Sequence, residues 1–250
     1  MPAPRRQSSG ITCACPTSAN SPPVHDPWFS LRSGPGDAAH NMALDEALLS
    51  AAQRLGRPVW RSYGWRQPAA TLGYFQRHAE IATLTPLRPL VRRPTGGGLV
   101  PHDRDWTYSV VVPPGHAWYA LRAEESYRRV HVWLRDAFAR LGVPTELAGC
   151  CDTTGHGQCF VGAEKHDLLH CGRKIAGAAQ RRNRQGLLIQ GSVQPPPGPN
   201  RDAWEEAMRA VATEQWKAAW AELNLDPELT AEAARLTAEK YALPSYNEKK

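Results

Sequence analysis

The chain has 250 residues, 42% of them hydrophobic and 22% charged, and carries a formal charge of +6. That length suits one large domain or two small ones and allows a core of its own. No stretch of about eighteen apolar residues occurs, which excludes a membrane-spanning helix, and the arginines are spread along the chain without a run of five like charges. A nucleic-acid surface is the weaker reading of such a balance; an acidic carrier protein or a phosphate-bearing substrate fits it equally well.

Residues 1 to roughly 27 are rich in Pro, Ser, Thr and Ala with little periodic apolar content, and read as a disordered leader ahead of a single domain spanning 28–250. The leader has no apolar central segment, so it is not a secretory signal. The cysteines are Cys13, Cys15, Cys150, Cys151, Cys159 and Cys171. In a chain of this length without a signal they are expected as free thiols in a reducing, cytoplasmic compartment.

Met42, Leu44, Ala47, Leu48 and Leu55 recur near the helical period and predict a helix over Ala38–Leu55, stopped by Gly56. Val59–Tyr63, Ala70–Leu72 and Leu90–Arg93 predict short strands, the last cut by Pro94. After the turn Thr95-Gly96-Gly97-Gly98, the stretch Leu99–Val112 holds strand formers from Trp106 to Val112. Tyr127, Val130, Trp133, Leu134, Ala137 and Leu141 mark one apolar stripe of a helix over Leu121–Leu141. Strands follow at Cys159–Val161, His166–His170, Lys174–Gln180 and Gly186–Val193. The segments Asp202–Leu223 and Thr230–Tyr241 read as helices, with Thr230 as N-cap. Clustered strands with helices before, between and after predict an α+β fold, a mixed or antiparallel sheet flanked by helices.

Three places carry potential chemistry. In Arg92-Arg93-Pro94-Thr95-Gly96-Gly97-Gly98, with His102 and Asp103 beyond, the glycines let a ligand approach backbone N–H groups and the arginines offer charge to a phosphate or carboxylate. The spacing matches neither a P-loop nor a dinucleotide-binding fingerprint, and a plain hairpin turn is the competing reading. His102 either bonds the loop or moves a proton. In Gly172-Arg173-Lys174-Ile175-Ala176-Gly177-Ala178-Ala179, the small residues leave room for a thin ligand. Lys174 is then either an oxyanion-stabilising charge or an ordinary surface lysine. The third place is the cluster Cys150, Cys151, His156, Cys159, His166, His170 and Cys171. The absence of any Cys-x-x-Cys pair and the adjacency of Cys150 and Cys151 suit tetrahedral zinc poorly, so no metal site is expected. A nucleophilic Cys159, its thiolate favoured by Lys174, stays open on the residues alone.

Together the segments Asn41–Leu49, Leu72-Gly73-Tyr74-Phe75-Gln76, Arg92–Asp103, Gly172–Arg181, Gly191-Ser192-Val193 and the ending Lys240-Tyr241 through Tyr246-Asn247 resemble the lipoate–protein ligase and octanoyltransferase family. The order of motifs is kept over roughly 37–247, and the resemblance implies the biotin/lipoate protein ligase-like catalytic domain. It is closest to the cysteine-dependent octanoyltransferase branch, where Gln158-Cys159-Phe160 stands upstream of Gly172-Arg173-Lys174. This implies Cys159 as nucleophile, Lys174 as its partner, and an acyl site formed by Arg92, Arg93, Thr95, Gly96, Gly97, Gly98, His102, Gly177, Ala178 and Ala179. The implied partners are acyl carrier protein as donor and, as acceptor, a lipoyl domain such as glycine cleavage H protein or a 2-oxoacid dehydrogenase E2, with no cofactor. The alternatives are an ATP- and Mg-using lipoate ligase working through an acyl-adenylate, a non-catalytic acyl-binding member, and a structural zinc module.

Overall fold

A computed structural model describes Met1 and residues 25–150 and 162–249. Two strands with no exposed side chain, β6 (Trp106–Val112) and β10 (Gly186–Val193), pair antiparallel at its centre. Strands buried on both faces need a layer on each side. Trp106, Tyr108, Val110 and Val112 join Leu187, Ile189 and Val193 in a core with α4 (Ala123–Arg140) and α5 (Arg201–Trp216). On the other face Val111 and Leu188 meet α1 (Ala38–Leu55) and α6 (Pro227–Leu236).

Around that pair runs an eight-stranded sheet in the order β11 (Ala218–Glu222), β1 (Asp26–Gly36), β2 (Val59–Trp65), β6, β10, β9 (Arg173–Asn183), β8 (Leu168–His170), β7 (Glu146–Leu147). The contacts β11–β1 and β1–β2 are parallel and the others antiparallel. A small sheet, β4 (Leu90–Arg92), β3 (Ala69–Leu72) and β5 (Val100–His102), has its own apolar cluster of Ala70, Leu72, Ile81, Leu90 and Leu99. Short helices α2 (His78–Ile81), α3 (Ala117–Ala120) and α7 (Pro244–Asn247), with a π-helical turn at Thr237–Tyr241, complete the mixed α+β architecture. It agrees with the fold expected from the sequence. No described helix is long and apolar enough to cross a membrane.

The helix Ala38–Leu55 stands where its periodicity placed it, closed by Gly56 at φ 65° with its N–H on the Ala52 carbonyl. Two expectations are corrected. The helix foreseen over Asp202–Leu223 stops at Trp216, where Lys217 turns left-handed at φ 59°, and Ala218–Glu222 becomes strand β11. Pairing with β1 and the packing of Trp216 and Trp220 around Trp28 override the helical propensity of Ala-Ala-Trp-Ala-Glu. The N-cap of α6 is Asp226, which accepts from the Leu229 N–H ahead of Pro227, while Thr230 sits inside the first turn. The stretch Leu99–Val112 is two strands in different sheets, β5 and β6. Strand β1 was not foreseen, because Gly34, Gly36 and two prolines obscure its pattern, and it begins at Asp26, inside the expected leader. Residues 2–24 of that leader, and the strand foreseen at Cys159–Val161, lie outside the described residues.

Candidate active site

The face of β6 and β10 that carries Thr107, Ser109, Gln190 and Ser192 is covered by the small sheet and the glycine loop, and between them lies a narrow, partly open cavity. Gly97, Gly177, Ala178 and Ala179 keep its walls thin, Met42 and Val100 make it apolar, and Tyr63, Thr71, Arg93, His102, Gln190 and Ser192 add polar atoms.

The floor is tied to α1 through Asp45, fully buried, which pairs with Arg61 at 2.6 Å. It also accepts from Ser109 at 2.7 Å, Tyr63 at 3.0 Å and Gln190 at 2.7 Å. Gln190 in turn accepts from Thr95 Oγ1 at 2.7 Å, so the glycine loop is fastened to the sheet through one amide. Burial and the neighbouring Asp45 push the Tyr63 hydroxyl well above its ordinary range, which leaves it a neutral donor.

The loop itself is held by Arg93, whose guanidinium donates to the carbonyls of Gly96 and Gly98 and to Thr71. Gly97 has φ +82° and lies against both Arg93 and Ala179, while a Cβ on Gly73 would stand 1.9 Å from the Gly97 carbonyl oxygen. Arg92 behaves differently. Its donors go to the carbonyls of Gly73, Tyr74 and Gln76 and to those of Tyr246, Asn247 and Lys249 at the C-terminal end. It therefore clamps the tail and a turn, and it does not line the cavity. Arg92, expected at the acyl site, is thus placed in this clamp and away from the cavity lining, and Gly96 and Gly98 contribute carbonyls to Arg93.

His102 is buried in the wall. Its Nδ1 lies 2.8 Å from Asp105 Oδ2, its Nε2 lies 2.9 Å from Thr71 Oγ1, and the Trp65 ring stacks on it at 3.9 Å. The same Asp105 oxygen accepts from Thr107 at 2.8 Å and Ser192 at 2.7 Å. Burial alone would push the Asp105 carboxyl up, but His102 and these three hydrogen bonds outweigh it and hold it below the ordinary value.

Lys174, on β9, folds back over Gly177: a Cβ there would lie 2.9 Å from Lys174 Cε and 3.1 Å from Nζ. Only 6% of the lysine side chain is exposed, and Nζ lies 2.6 Å from Asp167 Oδ2 and 3.5 Å from the Gly162 carbonyl. Cys159, Cys151 and His156 lie outside the described residues. Cys150 and Cys171 are exposed and free; His170 bonds the Pro144 carbonyl and His166 faces Glu124. Among the described residues, no three His, Cys, Asp or Glu side chains are grouped to hold a metal ion.

Thus Arg93, Gly97, His102, Gly177, Ala178 and Ala179 meet around one cavity, Thr95 joins it through Gln190, and Lys174 packs on its Gly177 wall. Sequence reasoning missed Thr71, Thr107 and Trp65, whose only signal is alternation in short strands, and Asp105, in the turn between β5 and β6. Asp45, Asp167 and Ser192 stand inside recognisable segments, but nothing in those segments marks them for a role.

A mixed sheet and a small sheet thus enclose a thin cavity, with a buried lysine packed on its wall. The chain belongs to the lipoyl protein ligase A/B catalytic domain family, whose model matches residues 37–194. Octanoyltransferase LipM of Symbiobacterium thermophilum is 39% identical over 184 residues, covering 66% of this chain and 64% of that protein. Octanoyltransferase LipM of Halalkalibacterium halodurans is 35% identical over 179 residues, covering 66% and 65%. The chain thus spans slightly less than two thirds of these relatives' length. Among solved structures, a bi-partite lipoate protein ligase from Thermoplasma acidophilum, studied with its E2 lipoyl domain, superposes with a TM-score of 0.70 at 18% identity, over 90% of this chain and 96% of that one. This likeness shows a shared fold.

Proposed function

We propose that the protein transfers an octanoyl group from a carrier-protein thioester to a lysine of a lipoyl domain, through a thioester on Cys159. The observation that carries this reading is Lys174, buried against Gly177 at a cavity walled by small residues, in a chain whose relatives are octanoyltransferases. The assignment of Cys159 rests on its place in Gln158-Cys159-Phe160 ahead of Gly172-Arg173-Lys174.

In the proposed first step the Cys159 thiolate attacks the thioester carbonyl, and the Lys174 ammonium stabilises the oxyanion. The carbon–sulfur bond to the carrier breaks, and the carrier thiolate takes up the proton that Cys159 gave. In the second step the acceptor amine attacks the acyl-enzyme, loses a proton and forms the amide, and the Cys159 thiol is restored. An amide is more stable than a thioester, so the sequence runs downhill without ATP or a metal.

The test is transfer from octanoyl carrier protein to an apo lipoyl domain, read by mass spectrometry with and without ATP and Mg. Octanoylation independent of ATP is the expected result. Modification only with ATP and free octanoate or lipoate, with release of pyrophosphate, would assign the site to the acyl-adenylate reaction instead. Lys174→Ala is expected to slow acyl transfer about 10²-fold, the usual effect of losing one oxyanion donor.

A further inference from the structure

Asp167 is fully buried, and no step above uses it. Its two oxygens are divided between a lysine, a tyrosine and the backbone. Oδ2 lies 2.6 Å from Lys174 Nζ and accepts the Glu164 N–H at 2.6 Å, while Oδ1 accepts from the Tyr127 hydroxyl. That hydroxyl in turn accepts the Ala178 N–H at 3.3 Å, so the arrangement is anchored on the strand that lines the cavity. The residue before Asp167, His166, has φ 74°, and the Asp167 carbonyl accepts from Ala148, so the loop holding the carboxylate is fixed at both sides.

A carboxylate this well held does two things to a buried lysine. Its charge offsets the desolvation that would otherwise drive an ammonium toward the neutral amine, and its position fixes where Nζ points. Gly177 supplies the space, since a side chain there would meet both Lys174 and Asp167 Oδ1. Other groups facing this pair are Tyr127 and His131 on α4, Tyr108 on β6, and the loop residues Glu164, Lys165 and His166, the last two paired with Glu124. Buried His131 gives its Nδ1 to the Tyr127 carbonyl.

We propose that Asp167, oriented by Tyr127, is a positioning residue that keeps Lys174 charged and aimed at the cavity wall. The proposal rests on Lys174 acting in acyl transfer, and the experiment separates the two claims. Single-turnover acylation by octanoyl carrier protein is followed against pH for the wild type, Asp167→Asn, Tyr127→Phe and Lys174→Ala, with thermal melts to confirm folding. Asp167→Asn is expected to slow acylation at least about tenfold and to move its alkaline limb down by about one to three pH units, the shift that follows loss of an adjacent opposite charge. Tyr127→Phe keeps the ring and the charge, and is expected to lower the rate constant while the half-saturating carrier concentration stays unchanged. A purely structural Asp167 would leave the alkaline limb in place. If Asp167→Asn and Tyr127→Phe both keep the wild-type rate and limb while Lys174→Ala is slow, Asp167 is overturned and Lys174 stands. If Lys174→Ala acylates at the wild-type rate, both claims fall.

Discussion

At Gly177 the missing side chain has a definite use. Lys174 Cε and Asp167 Oδ1 would lie 2.9 Å and 3.2 Å from a Cβ, inside contact distance. Gly177→Ala should therefore push the lysine off its carboxylate while leaving most of the core untouched. Acylation is expected to fall at least about tenfold with a stability loss of only about 1 kcal/mol, since displaced side chains rather than backbone absorb the methyl. Kinetics alongside urea melts check this; wild-type kinetics would show that the lysine is free to sit elsewhere. His131 illustrates the opposite situation, a titratable group with stability in its charge state. Burial pushes it down to about 4 from an ordinary 6.5. Between those values the unfolded chain binds a proton that the folded chain refuses, so this contribution is complete above pH 6.5 and is lost as pH falls toward 4. Its full size is about 3 kcal/mol at 1.36 kcal/mol per unit. His131→Leu should flatten the fall in melting temperature over that acidic range, and an unchanged slope would contradict the assignment.

Among the elements, the glycine loop and the C-terminal turn are joined by neighbouring arginines with separate tasks. Arg93 shapes the loop that lines the cavity, whereas Arg92 gathers carbonyls from Gly73–Gln76 and from the tail around Asn247, whose side chain also accepts the Arg92 N–H. Arg92→Ala leaves several buried carbonyls without donors and should cost at least about 3 kcal/mol in denaturant unfolding. Arg92→Lys should not restore it, because one ammonium cannot span the planar fork; full rescue by lysine would refute the clamp. The sequence presents both arginines alike, as charges before three glycines, and only the fold separates them. The same limit explains strand β11. Local propensity favours helix at Ala218–Glu222, and the decision is made by β1 and Trp28, far away along the chain. By contrast α1, β6 and β10 were legible, because the period of their buried residues is a local property.

Across the whole molecule, the cavity is a product of two sheets. Thr71 and His102 come from the small sheet, Thr107, Gln190 and Gly177 from the large one, and each half buries its apolar side in a different cluster. The Gly177–Ala179 stripe and Arg93-to-His102 loop were readable as separate motifs; their meeting in one cavity was not, since short strands carry no signal for which sheet they join. Asp45 and Asp167 were hidden for a related reason: each is a buried carboxylate held in part by partners from other elements, Arg61, Ser109 and Gln190 for the first and Tyr127 for the second, and nothing local marks an acid as matched. The charge of +6 fits an acidic protein partner bringing substrate to such a site. The covalent route through Cys159 is the central claim, and intact-mass spectrometry after mixing with octanoyl carrier protein tests it most directly. The wild type should gain one octanoyl group that hydroxylamine removes, and Cys159→Ser should gain none that hydroxylamine can release. A hydroxylamine-labile adduct that persists in Cys159→Ser, or a wild type that transfers octanoate without ever carrying it, would contradict the account.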